Sequence, residues 1–382
     1  MRRNIVWAVG ILLAVLAVIH VYIGWNIVLF LEAWGADGFG WLAGTALAVL
    51  AVAYLLGRLG QAVMPGALTD AVKSIGSLWL AGIQYLLLLL PVADLVGWIA
   101  ALAGADADRS VRWIGGAVLL VLLVLFAFGT RNAWSPVVRR YELDIDKRAG
   151  DRSRLRVMVA SDLHLGTIVG NRHIRRLLEQ AERIRPDLIL LAGDVLDDDL
   201  GPFLRKDMKS VLGRLRAPLG VYAVLGNHEY YGGHIDRYVE VMREIGIPVL
   251  RDEVVELEGG RIVIAGRKDK TAETADPEGR LPLEELLRDV DPQTPILLMD
   301  HQPYGLDRAE ACGVDVMVSG HTHRGQLAPN HLITRRLFEL DWGYKRKGRL
   351  HAVVSSGFGT WGPPLRIGSR SEVIQLDIRF QG

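Results

Sequence analysis

Cysteine is almost missing from this sequence: Cys312 is the only one in 382 residues. A lone cysteine excludes an internal disulfide and a thiolate metal cluster. It leaves the compartment open. Charge is scarce in the first third. Residues 1–130 carry six Lys/Arg (Arg2, Arg3, Arg58, Lys73, Arg109, Arg112) and six Asp/Glu (Glu32, Asp37, Asp70, Asp94, Asp106, Asp108), against 38 and 37 in the other 252. A chain divided this way reads as a membrane part followed by a charged, soluble part. The net charge of +1 gives no footprint for nucleic acid, and no nucleic-acid partner is expected. No internal repeat is visible.

The uncharged third contains four apolar runs, near residues 5–30, 39–56, 78–103 and 113–128. A spanning helix needs about 20 apolar residues. The runs therefore predict an all-α transmembrane bundle of about four helices over residues 1–130. Trp25, Trp34, Trp41, Trp98 and Trp113 fall near the run ends, where interfacial aromatics belong. Arg2 and Arg3 precede the first run, Glu32 and Asp37 lie in a first loop without a base, and Arg58 and Lys73 lie in the second loop. The third loop is mixed. Eight Lys/Arg follow the fourth run within residues 131–156. This distribution predicts both termini and the soluble part inside, in the cytoplasm, with an extracytoplasmic placement as the alternative. Arg2-Arg3 also suits a twin-arginine export signal, but no convincing small-x-small cleavage site follows the first run. His20 and Asp94 are the ionisable groups inside apolar runs. Pro91 is expected to end or kink its helix and leave Asp94 near an interface.

Residues 131–153 read as a basic linker that suits anionic headgroups, and 154–382 as a separate folded domain. There, apolar runs at 155–160, 187–192, 220–225, 295–299 and 314–318 predict strands. Helical spacing predicts helices near 171–184, 203–215, 234–245 and 304–312. Short strands near 248–251, 254–257 and 261–265 read as an antiparallel stretch, and the tail adds strands near 350–355 and 372–378. Strand–turn–helix alternation gives an α/β fold, with ligands at the strand carboxyl ends and the antiparallel tail suggesting a second sheet.

Those ends carry Asp162, His164, Asp194, Asn227, His301, His321 and His323. Five of the ten histidines (His164, His228, His301, His321, His323) sit in these turns. Carboxylate, imidazole and amide oxygen without thiolate suit Mn, Fe or Zn rather than a structural zinc site. Seven donors are too many for one ion and enough for two divalent ions if one carboxylate bridges. Gly193, Gly226 and Gly320 are expected to let the backbone turn sharply beside them.

The segments Asp162-x-His164, Gly193-Asp194, Gly226-Asn227-His228-Glu229, His301 and Gly320-His321-Thr322-His323 resemble the calcineurin-like metallophosphoesterase signature, in its order, across about residues 154–380. The resemblance implies two mixed β-sheets sandwiched between helices. It also implies that Asp162, His164 and His323 hold one metal, that Asn227, His301 and His321 hold the other, and that Asp194 bridges them. His228 would be no ligand. It would face the substrate phosphate and stabilise or protonate the leaving oxygen, with Glu229 or Asp197 as candidate orienting partners. The tail, with Gly325-Gln326-x-x-Pro329, Ser355-Ser356-Gly357-Phe358-Gly359, Pro363 and Pro364, looks like that of membrane-associated bacterial phosphodiesterases. Gly266-Arg267-Lys268-Asp269 departs from the acidic turn often found there. The expected activity is hydrolysis of a phosphodiester, lipid-linked or nucleotide-linked, by metal-activated hydroxide, with membrane lipids as partners. A non-catalytic metal-binding scaffold of the same fold is the rival reading, and a transporter with a regulatory domain a third. The 331–338 segment mixes apolar and basic residues, as an interfacial segment does.

Overall fold

The computed structural model describes residues 2–60 and 66–381. The chain forms two compact units, Met1–Gly129 and Thr130–Gly382.

In the first unit lie α1 (Arg2–Ala33), α2 (Gly40–Leu59), α3 (Gly66–Leu102) and most of α4 (Ala107–Trp134). All four contain a stretch long and apolar enough to cross a membrane. Their large apolar side chains point outward, among them Ile11, Val18, Leu55, Ile99 and Leu123. Helices apolar on all sides are stable only where lipid or other protein replaces water. Helices α2 and α3 approach closely because of two small residues: a Cβ on Gly76 would lie 2.2 Å from the Tyr54 amide nitrogen, and one on Gly57 would lie 2.5 Å from the Lys73 amide nitrogen. The expected spans needed adjusting. Arg58 ends α2 and Lys73 lies buried within α3, so neither is a loop base. Residues 61–65, the middle of that loop, lie outside the described residues. Pro91 does not end α3, which continues for eleven residues past it. Asp94 accepts a hydrogen bond from the Tyr22 hydroxyl, and His20 accepts one from Trp79 Nε1 at 3.1 Å.

The second unit has two six-stranded sheets. One runs in the order β1 (Val137–Ile145), β12 (Glu372–Phe380), β2 (Arg154–Ala160), β3 (Leu188–Ala192), β4 (Val221–Val224) and β5 (Val249–Leu250). The other runs β10 (Gly343–Lys347), β11 (Leu350–Val354), β9 (Val316–Ser319), β8 (Ile296–Met299), β7 (Ile262–Gly266) and β6 (Glu253–Leu257). Most pairs are parallel; β12–β2, β10–β11 and β6–β7 are antiparallel. Helices α5 (Asn171–Ile184), α6 (Leu200–Arg205), α7 (Met208–Leu212), α8 (Asn227–Gly232), α9 (Ile235–Glu244), α10 (Ala272–Ala275), α11 (Leu283–Leu286), α12 (Leu306–Ala311) and α13 (His331–Leu337) lie in the connections.

The two-residue period of the strands builds the layers. Met158, Ala160, Ile189 and Leu191 face Ile174 and Leu177 of α5. Their neighbours Val157, Val159, Leu188 and Leu190 meet Leu297, Met299, Val316 and Val318 of the other sheet. Ile296, Leu298 and Met317 turn to Leu306 and Ala309 of α12. Two mixed sheets packed face to face, with helices outside, are thus the architecture the resemblance implied.

Several local expectations are corrected. Residues 131–153 are not a free linker: β1 pairs in parallel with β12. Three of the segment's six basic side chains are committed to the fold. Lys147 is buried, 2.7 Å from Asp315 Oδ2, Arg139 pairs with Glu372, and Arg152 with Glu258. The helix near 203–215 is two helices, broken where Asp207 takes a left-handed φ of 45°. The 248–265 stretch is divided between sheets: β5 joins β4 in the first, and β6 and β7 join the second after Asp252, at φ 57°. The second sheet is mostly parallel, and β12 returns to the first.

Candidate metal centre

The donors sit just beyond the carboxyl ends of β2, β3, β4, β8 and β9. Five of the seven are left-handed non-glycine residues: Asp162 (φ 51°), His164 (47°), Asp194 (50°), His321 (71°) and His323 (48°). Such backbone is costly for residues with a Cβ, and functional sites are where it collects. The glycines act differently from expectation. Gly193 does turn, at φ 86°. Gly226 and Gly320 instead make room for carboxylates: a Cβ would lie 2.1 Å from Asp194 Oδ1 and 2.2 Å from Asp162 Oδ2 respectively.

All seven residues are brought together. Asp162, His164 and His323 form one donor group, and Asp194, His301 and His321 another. His164 Nε2 and His323 Nε2 are 2.9 Å apart, and His323 Nε2 is 3.5 Å from Asp162 Oδ1. In the second group His301 Nε2 is 3.0 Å from Asp194 Oδ2 and 3.2 Å from Asn227 Oδ1, which is 2.8 Å from His321 Nδ1. Asp194 Oδ2 also lies 4.0 Å from His164 Nε2, so this carboxylate stands between the groups. Backbone amides hold the acids: His228 N donates to Asp194 Oδ1 and His321 N to Asp162 Oδ1, both at 2.9 Å.

These residues fit a bound cation. His301 Nδ1 lies 2.8 Å from the Ala192 carbonyl. Donation there fixes its proton, so the Nε2 lone pair faces the oxygens of Asp194 and Asn227. Lone pairs this close repel unless a proton or a cation sits among them. The electrostatics of the donors point the same way. Burial would push His301 down, but Asp194 raises it well above the usual imidazole range. Burial would raise Asp194, but His301 and its neighbours hold it well below the carboxylate range. Burial, helped by the charge on His228, lowers His164 to about 3, leaving it a neutral donor.

His228 stands beside the donors, its ring 4.6 Å from that of His164. Its orienting partner is neither Glu229 nor Asp197. Its Nδ1 lies 2.6 Å from Asp198 Oδ1. Burial would lower it, but the Asp198 hydrogen bond and the nearby aspartates raise it to about 9. Glu229 pins the loop, accepting from Leu196 N and Gly226 N at 2.8 and 2.7 Å. Asp197 Oδ1 lies 3.9 Å from His164 Nδ1, and Asp199 caps α6 through Gly201 N.

Arg366 was also missed. Wholly buried, it donates to the Gly359 carbonyl and lies 3.2 Å from His323 Nδ1. The tail turns noted in the sequence form a brace. Gln326 Nε2 donates to the Trp361 and Pro363 carbonyls, while Phe358 N and Gly359 N donate to the carbonyls of Ser161 and Asp162. Asp269 is buried near the second group and accepts from Gln302 Nε2 at 3.0 Å.

Comparison with known proteins agrees. The profile of the calcineurin-like phosphoesterases matches residues 155–325. An uncharacterized metallophosphoesterase of Aquifex aeolicus is 32% identical over 267 residues, covering 69% of this chain and 100% of that protein. A bovine transmembrane protein with a metallophosphoesterase domain is 29% identical over 298 residues, covering 74% of this chain and 67% of its own length. With this fold, these donors in this order and a relative matched over its whole length, the chain belongs to the calcineurin-like phosphoesterase family.

Proposed function

We propose that the chain is a membrane-anchored phosphodiesterase with a two-metal site, acting at the cytoplasmic face on a membrane-associated phosphoester. The observation that carries this reading is Asp194, whose carboxylate stands between two donor groups while its Oδ1 holds the His228 loop. Asp162, His164 and His323 would hold one ion, Asn227, His301 and His321 the other. Two divalent ions supply Lewis acidity to the phosphoryl oxygens and acidify the attacking water. The protein residues do the rest. Asp194 is preorganised, because a backbone amide and His301 already fix both its oxygens. His228, held through Nδ1 by Asp198, presents Nε2. As the attacking water gives up a proton to solvent and adds to phosphorus, the bond to the leaving oxygen breaks and that oxygen takes the Nε2 proton, which solvent then restores to His228. The rigid αL turns keep these groups in place before substrate arrives.

The test uses full-length protein in nanodiscs, stripped by chelator and reloaded with Mn²⁺. Expected are two Mn²⁺ per chain and turnover of a phosphodiester that falls to background in the stripped protein. One ion per chain at full activity overturns the two-metal reading. A preference for monoesters overturns the diesterase reading. A lipid-linked diester should be hydrolysed better than its deacylated headgroup, and equal kcat/KM values would remove the membrane substrate from the proposal.

A further inference from the structure

Helix α13 is inside out for a helix that meets water. Thr334 turns inward and donates to Asp341 Oδ2 at 2.8 Å, and Phe338, one residue past the helix, is buried. Leu332, Ile333 and Leu337 are 54%, 60% and 65% exposed, and no residue of α13 is buried. With Arg336 they occupy positions i, i+1, i+4 and i+5 of one outward face. Arg335 flanks that face, and among the described residues neither arginine has an acidic partner.

The helix that carries this face adjoins the metal centre. Helix α13 packs on the turn His323–Gly325. In that turn the Arg324 guanidinium lies 3.9 Å over the Trp342 ring. The Phe338 ring is 5.9 Å from that of His321. Trp361, whose backbone is held by the Gln326 side chain just before α13, is 54% exposed and has its ring 6.0 Å from His228. Exposed apolar groups therefore lie beside the donors both on α13 and at Trp361.

We propose that this rim, α13 with Trp361, is a docking surface for an anionic lipid bilayer. Leu332, Ile333 and Leu337 enter the acyl boundary, and Arg335 and Arg336 reach back to lipid phosphates, as long basic side chains do at interfaces. The charge selects this occupant. Two unpaired arginines beside three aliphatics match an anionic headgroup layer, whereas a second copy of this face would bring like charges together. The chain also carries four candidate spans, and only Ser135 and Pro136 separate α4 from β1. A docked rim would turn the strand ends and their donors toward the headgroups.

The experiment reads the surface without activity, so its failure leaves the hydrolase reading untouched. In full-length Cys312→Ser protein, single cysteines replace Ile333, Leu337 or the exposed control Asp289, and each is spin-labelled. The proteins go into nanodiscs holding one chain each, made of phosphatidylcholine alone or with phosphatidylglycerol. In anionic discs, labels at 333 and 337 should lose aqueous nickel access several-fold relative to 289 and gain access to lipid-dissolved oxygen. The shielding should weaken in neutral discs and after Arg335→Gln with Arg336→Gln. Nickel access equal to that at 289 in both lipids overturns the proposal. So does shielding that arises only in discs loaded with two chains, which would assign the face to a second copy.

Discussion

His228 Nδ1 lies 2.6 Å from Asp198 Oδ1, and this contact fixes which ring nitrogen is free to meet substrate. A histidine held through Nδ1 presents Nε2 and can give up a proton there. Asp198→Asn should keep the metal content and lower kcat by about ten- to a hundredfold, the range for partners that orient functional histidines, with little change in KM. The loss should be larger for an alkyl ester than for a nitrophenyl ester, because only the poor leaving group needs the proton. Equal losses on both esters would make His228 a packing residue.

Asp194 has no spare oxygen: Oδ1 accepts the His228 amide and Oδ2 faces His301. Asp194→Asn replaces an anion between two donor groups with a neutral amide. Metal bound per chain should drop by at least half and turnover by orders of magnitude, with an unchanged circular dichroism spectrum. Metal analysis and activity on the same preparation check this. Near-normal turnover in the folded variant would remove the bridging role.

The donors were legible because each stands where an apolar run meets a glycine or a turn, and strand ends are where open α/β sheets gather ligands. Asp198 was not. It is the middle of Asp197-Asp198-Asp199, and composition cannot tell three equal side chains apart. The backbone does, by taking φ 55° at Asp198 so that the three carboxylates diverge to His164, His228 and the start of α6. Strand β1 was hidden for a different reason. Its charged residues, Arg139 and Asp144 among them, face an edge and pair with Glu372 and Arg379, more than 200 residues away in sequence. An edge strand with salt-bridged positions reads locally as a basic linker. The inverted face of α13 was visible as a mixture of apolar and basic residues, but only the inward turn of Thr334 separates it from an ordinary half-buried helix.

His173 should shape the acid limb of stability. It is buried against Trp134 and Phe358, with Nε2 2.8 Å from the Phe358 carbonyl. Burial, opposed in part by that hydrogen bond, lowers it from 6.5 to about 4. Between those values the unfolded chain binds the proton and the folded one does not. Its contribution is therefore complete above pH 6.5, falls as the pH drops toward 4, and is constant below. At 1.36 kcal/mol per unit this is about 3 kcal/mol. Thermal melts of wild type and His173→Gln across pH 4–7 should show a shallower fall for the variant. Parallel curves would mean that His173 stays solvated.

Orientation gives the last prediction. Helix α1 opens with Arg2 and Arg3, while the α1–α2 connection carries Glu32 and Asp37 nearby and no base. Beyond the apolar core of α4 come Arg131, Arg139 and Arg140. Lys and Arg near helix ends are retained on the cytoplasmic side, and pairing within the folded unit, as between Arg139 and Glu372, does not alter that bias, because orientation is set during insertion. Arg58 at the end of α2 and Lys73 in α3 lie toward the same side if the spans alternate. Four crossings from a cytoplasmic start return the chain to the cytoplasm. A fluorescent-protein fusion after residue 382 should therefore glow, and an alkaline phosphatase fusion at the same place should be inactive. Placing the phosphatase after Asp37 should make it active. The reverse pattern would put the donors outside the cell membrane. It would also mean that an export route, rather than the loop charges, decides where this phosphoesterase unit works.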